Sequence, residues 1–198
     1  MDWRDEYQRK LTTPEEAIKA VKSGDRVAFA YGVEPLALGM ALLARGTELQ
    51  GVEVFVPAPG RDFAWYEPGW EDIFRIEVGY ILPIVREMIE QRRGDYLVSG
   101  LRWTHEPGVR PQTDVLLVQL STPNEHGFCS FGASLWDKKL AVRNARTVLA
   151  EVNDTLIRTY GDNFVHVSEI DRFVEHTPTG RAPGATDMLG RRTTGPGK

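Results

Sequence analysis

Asp114-Val115-Leu116-Leu117-Val118-Gln119-Leu120 runs straight into Ser121-Thr122-Pro123-Asn124-Glu125-His126-Gly127-Phe128-Cys129-Ser130-Phe131-Gly132, and a second apolar run, Thr147-Val148-Leu149-Ala150-Glu151-Val152-Asn153, follows. Both apolar runs are nearly continuous β-formers, the pattern of strands buried on two faces inside a covered parallel sheet. The segment between them is small and polar, as expected where a ligand approaches the backbone. In open α/β sheets ligands bind beyond the carboxyl ends of the strands, so Ser121 to Gly132 is where a site is expected.

Upstream, Thr13 before Pro14, Glu15 and Glu16 supplies an N-cap, a first-turn proline and an acidic third position, which predicts a helix to about Lys22, ended by Gly24. Arg26 to Ala30 reads as a short buried strand, Pro35 to Ala44 as an apolar helix closed by Gly46, and Val52 to Val56 as a second strand. That order is a βαβ unit. Helical spacing returns over Leu82 to Arg93, a strand over Tyr96 to Ser99, and a crossing helix over Leu135 to Ala145. Phe164 to Val167 and Arg172 to Val174 are short closing segments. The fold class expected is α/β, a three-layer α/β/α sandwich on a mostly parallel open sheet. One domain is expected over residues 1–176. Residues 177–198, dense in Gly, Pro, Thr and Arg, are expected to form a mobile tail or an arm that orders on a partner. No internal repeat is present.

A chain of 198 residues is long enough to bury about two thirds of its unfolded surface without a disulfide or metal staple. Its single cysteine, Cys129, has no partner in the chain, which suits a reducing compartment, and a free thiol in a loop could be reactive. The start, MDWRDEYQRK, is charged, and no apolar run approaches the roughly 20 residues of a membrane span. A soluble, cytoplasmic protein is expected. The net charge of −4 carries no basic block, which argues against nucleic acid or a membrane as partner and for small molecules and proteins. Among five tryptophans, Trp65, Trp70 and Trp103 lie in polar or Gly/Pro-rich surroundings. They either cap the core edge or face a partner.

Several residues carry candidate chemistry. Tyr31-Gly32-Val33-Glu34-Pro35 joins a strand to a helix, where free N–H groups and the helix dipole can receive an anion. Equally, Gly32 and Pro35 can simply make a tight connection. His126, between Glu125 and Gly127 on a sharp loop, could hydrogen-bond a substrate carboxylate or acyl oxygen, or merely anchor the loop. Ser121, Asn124 and Ser130 could add neutral donors to the same pocket. No Gly-x-Ser-x-Gly elbow activates a serine, and neither a Gly-x-Gly-x-x-Gly nor a Walker-type loop supports a nucleotide cofactor. Glu151 ends a strand at the expected crevice. It could shape the pocket and hold Asn153 or a partner arginine, or it could itself be an acyl-accepting nucleophile. His105, His166, His176 and Cys129 are not at metal-ligand spacings, and no metal is expected.

The runs STPNEHGFCSFGASLWDKK, TVLAEVNDTLIRTYGD and FVHVSEIDRFVE, preceded by the Thr-Pro-Glu-Glu-Ala helix and the Gly32 to Pro35 turn, resemble the amino-terminal half of the acetyl-CoA hydrolase/transferase family, of the class I CoA-transferase type. The likeness covers roughly residues 10–176. It implies an enzyme whose second half carries a catalytic glutamate. That glutamate attacks an acyl-CoA thioester to give an anhydride and free CoA thiolate, then becomes a glutamyl-CoA thioester that an acceptor acid resolves. The resemblance makes CoA a substrate thioester and implies no tightly bound cofactor. It makes the expected partner a second CoA-transferase-like subunit carrying the glutamate. It places the Gly32 to Pro35 turn at the acyl-CoA site, with Asn124, His126 and Gly127 as further donors around the acyl group, and it disfavours Glu151 as the nucleophile; Ser121, Ser130 and Asn153 are added as substrate-binding candidates from their position beside that site. A hydrolase of thioester or carbon–carbon bonds, or a noncatalytic acyl-CoA-binding module, is the alternative.

Overall fold

A computed structural model describes residues 2–98, 112–134 and 136–178. Seven strands form one sheet in the order β4-β3-β2-β1-β5-β7-β9, and every neighbouring pair is parallel. They are β1 (Arg26–Phe29), β2 (Val52–Val56), β3 (Phe74–Val78), β4 (Asp95–Tyr96), β5 (Val115–Leu120), β7 (Thr147–Val152) and β9 (Arg172–Glu175). The chain lays β1, β2, β3 and β4 outward in one direction, then returns to place β5 on the other flank of β1. The strand order therefore reverses between β1 and β5, and in open α/β sheets the ligand crevice lies beyond the carboxyl ends at such a reversal.

Alternation along the strands builds two cores. Val27 and Phe29 of β1, with Val115 and Leu117 of β5, face one side of the sheet. Ala28 and Ala30, with Leu116, Val118 and Leu120, face the other. The first side is covered by α2 (Pro14–Ala17), α3 (Leu36–Ala44) and α4 (Arg86–Glu90), with 3-10 turns between them. The second is covered by α1 (Trp3–Lys10), α5 (Lys138–Asn144) and a two-stranded antiparallel sheet of β6 (Phe128–Ser130) and β8 (Phe164–His166). The three-layer expectation holds, with one outer layer part helix and part sheet.

Several expectations need correction. The polar run after β5 is not an open loop: Phe128 pairs with His166, Cys129 with Val165 and Ser130 with Phe164. Cys129 is completely buried in that pairing, and burial pushes its thiol up to about 12, so it is no reactive thiol. The helix expected over 82–93 is a 3-10 turn, Pro83–Val85, followed by the five residues of α4. The crossing helix begins only at Lys138, after Trp136 adopts a positive φ of 36°. Trp65 is not at the core edge but inside the core, its ring 4.5 Å from Phe63 and 5.5 Å from Phe74. Trp103, His105, Leu135, Ser99 and residues 179–198 of the expected tail lie outside the described residues. No helix among the described residues is long and apolar enough to cross a membrane.

Candidate active site at the strand-order reversal

The turn from β1 into α3 is held from below by Glu151. This carboxylate, on β7 and fully buried, accepts hydrogen bonds from the backbone N–H of Leu36 (3.1 Å), Ala37 (2.7 Å) and Leu38 (3.2 Å), and its Oε1 lies 3.1 Å from His176 Nδ1. α3 opens with Pro35 at its cap and has no side-chain cap of its own, so the free N–H groups of its first turn are served from across the sheet. This revises two expectations. The dipole end of α3 already has its anion, and among the described residues the hydrogen bonds of Glu151 go to that helix and to His176, with none to Asn153. Glu34, also buried, is committed in the same way: its Oε1 accepts from Gly60 N (2.8 Å) and Arg61 N (3.3 Å), while Arg61 Nε donates to the Glu34 carbonyl. Burial raises the Glu34 carboxyl above its ordinary range, against the lowering effect of those amides.

The residues expected around a histidine pocket hold their own turn. Asn124 Oδ1 accepts from His126 N and Phe128 N, both at 2.9 Å, and Gly127 N donates to the Asn124 carbonyl. Gly127 has φ +80°, and a Cβ there would lie 2.8 Å from Trp3 and 2.9 Å from His166 Nε2, so glycine is needed for turn and packing alike. The His126 ring stands in solvent, 3.4 Å from Glu125. Ser121 Oγ donates to the Thr122 carbonyl and accepts from Ser130 N; Ser130 Oγ accepts from Gly132 N and from Asn163 Nδ2. Asn153 Oδ1 accepts from Thr155 N and Thr155 Oγ1. These side chains therefore bond within their own loops, and no hydrogen bond of theirs among the described residues joins the 124–127 turn to Gly32.

Gly32 does meet other polar groups, of which the sequence carries no local sign. Its φ is +114°, and a Cβ there would sit 2.8 Å from Ser134 Cβ, 3.0 Å from Ser134 Oγ and 3.2 Å from Lys138 Nζ. Lys138 is 4% exposed, its Nζ donates to the Phe131 carbonyl at 3.0 Å, and no carboxylate pairs with it among the described residues. Burial alone brings its ammonium down to about 8. Beside it the ring of Trp136 stacks on that of Tyr31 at 5.3 Å while remaining half open to solvent. A buried lysine has no signature in a single sequence. The positive φ at Trp136, between two apolar elements, is equally invisible there.

A doubly covered parallel sheet whose strand order reverses between β1 and β5 defines the class, an open α/β domain. Within that class the chain belongs to the acetyl-CoA hydrolase/transferase family, whose N-terminal domain matches residues 1–180. The chain is 35% identical over 181 residues to 4-hydroxybutyrate coenzyme A transferase of Clostridium kluyveri, covering 88% of this chain and 42% of that protein. It is 29% identical to butyryl-CoA:acetate CoA-transferase of Anaerostipes caccae, covering 96% of this chain and 43% of that protein. Among solved structures it matches RipA from Yersinia pestis with a TM-score of 0.78 at 26% identity, covering 92% of this chain and 47% of the other. The chain thus spans less than half the length of each of these three proteins.

Proposed function

We propose that this domain is one half of a CoA-transferase-type active centre, acting on an acyl-CoA and a small carboxylic acid, and that a second α/β subunit supplies the other half with its nucleophilic glutamate. The observation that carries this reading is the commitment of two buried carboxylates at the β1–α3 turn. Glu151 and Glu34 are both held by backbone amides, and a carboxylate so held is a poor nucleophile. The family supports CoA-thioester chemistry, and the crevice supports a half-site into which a nucleophile must be brought from outside. In this reading the glutamate of the partner attacks the thioester carbon and expels CoA thiolate. The thiolate then takes the glutamyl carbon and releases the acyl group as a free carboxylate. The acceptor acid completes the exchange in reverse order. This chain contributes the floor: the Gly32 turn, held rigid by Glu151, and the polar groups around it.

The test is co-expression with a candidate second half, followed by size measurement and CoA exchange between butyryl-CoA and acetate. Exchange only in the complex, abolished by replacing the partner's glutamate, is the expected result. Turnover by this chain alone would overturn the assignment, and thioester loss without need of acetate would move the reaction to hydrolysis.

A further inference from the structure

We infer that Gly32, Ser134 and Lys138 form a subsite for the carboxylate of a small organic acid, with the stacked Tyr31 and Trp136 rings flanking its carbon chain. Four observations converge on this recess. Lys138 is a buried cation with a single carbonyl partner and no acid, so two of its three N–H donors have no acceptor among the described residues. Ser134 is half-buried, and its hydroxyl makes no hydrogen bond among them either. Gly32, at a φ of +114°, lets both groups close on its backbone: an added Cβ would lie 3.0 Å from Ser134 Oγ and 3.2 Å from Lys138 Nζ, so glycine is what brings the hydroxyl and the ammonium together at this turn. Trp136, at the lip, is held at a positive φ that a bulky residue seldom adopts, and such local strain clusters at ligand sites.

The chemistry of these groups selects the ligand. One ammonium and one hydroxyl match the two oxygens of a single carboxylate, and the ring pair beside them suits a short apolar chain. A phosphate, with more charge and no apolar part, is met by only one cation here. The location of the subsite stands on the geometry alone, whereas the claim that the acid is a CoA acceptor rests on the half-site reading above.

Calorimetric titration of butyrate into the full chain, alone and in its complex, tests this directly, with inorganic phosphate as competitor. Saturable butyrate binding is expected. Lys138→Met should weaken it about tenfold or more, and Ser134→Ala, a safe change at a half-buried loop position, about threefold. Equal affinity in wild type and Lys138→Met, no saturable binding, or displacement by phosphate as readily as by acetate would overturn the subsite. Lys138-dependent butyrate binding in a complex that exchanges no CoA would leave the subsite standing and sink the half-site reading. CoA exchange with a KM for the acid unmoved by Lys138→Met would do the reverse.

Discussion

A lysine ammonium set against one carbonyl, 4% exposed, works against the fold that contains it. Burial takes the Lys138 ammonium from 10.5 to about 8, so between those values the unfolded chain binds more protons than the folded one. Stability must therefore rise with pH across that window, and the penalty is fully present below about 8, where it amounts to about 3 kcal/mol. Replacing Lys138 with Met removes the penalty, offset in part by the lost bond to Phe131. The variant should be the more stable protein at pH 7 by roughly 1–3 kcal/mol, with its advantage shrinking as pH climbs from about 8 toward 10.5. Urea midpoints of both proteins at the two ends of the window read this out. A gap that stays constant with pH would mean that Lys138 does not titrate as a buried group. A side chain that weakens the fold in this way and touches the Gly32 turn is better explained by a ligand than by packing.

At the scale of elements, the informative case is α3, a nine-residue apolar helix whose first-turn amides are capped by a carboxylate 113 to 115 positions away. Glu151→Ala leaves those amides without an acceptor and should cost about 3 kcal/mol, with faster hydrogen exchange at Leu36, Ala37 and Leu38. Glu151→Gln, which keeps an acceptor oxygen, should lose less. Unchanged exchange at these three amides in Glu151→Ala would dismiss the cap. Gly127→Ala likewise should destabilise by about 2 kcal/mol, because its Cβ collides with Trp3 and His166 at a positive φ. An unmoved melting temperature would show that α1 can shift to make room.

These same elements show what a sequence can and cannot reveal. Apolar runs and caps made β1, β2, β5, β7 and the start of α2 legible, because those signals are local. β3 carries a weaker sign: Phe74-Arg75-Ile76-Glu77-Val78 alternates as a half-covered strand does, but the aromatic, Gly/Pro-rich stretch before it obscures where the strand begins. Glu151 stands out in the sequence as a carboxylate at the end of an apolar strand. Its partners lie across the sheet, so its task could not be read. Asn124 and Ser121 were plausible ligand donors for the same reason that makes them good turn residues: short polar side chains bond the nearest backbone first.

For the whole molecule, the half-site reading requires that the carboxyl edge of the sheet be covered by something else. That edge carries exposed apolar side chains: Val33 in the turn after β1, Tyr80 and Ile81 after β3, and Trp136 stacked on Tyr31. Exposed aromatic and aliphatic groups along one sheet edge have the composition of an interface core. The double variant Val33→Asp, Ile81→Asp changes only exposed positions, so this domain should keep its own melting temperature. Placing two charges in a desolvated contact should weaken assembly with the second half about a hundredfold or more. Sedimentation of the mixed halves, with CoA exchange measured on the same samples, separates the possibilities. Lost assembly and lost exchange together are the expected pair. Intact assembly with the charges present would place the second half on another face of the sheet, and the recess at Gly32, Ser134 and Lys138 would then open to solvent instead of toward an incoming glutamate.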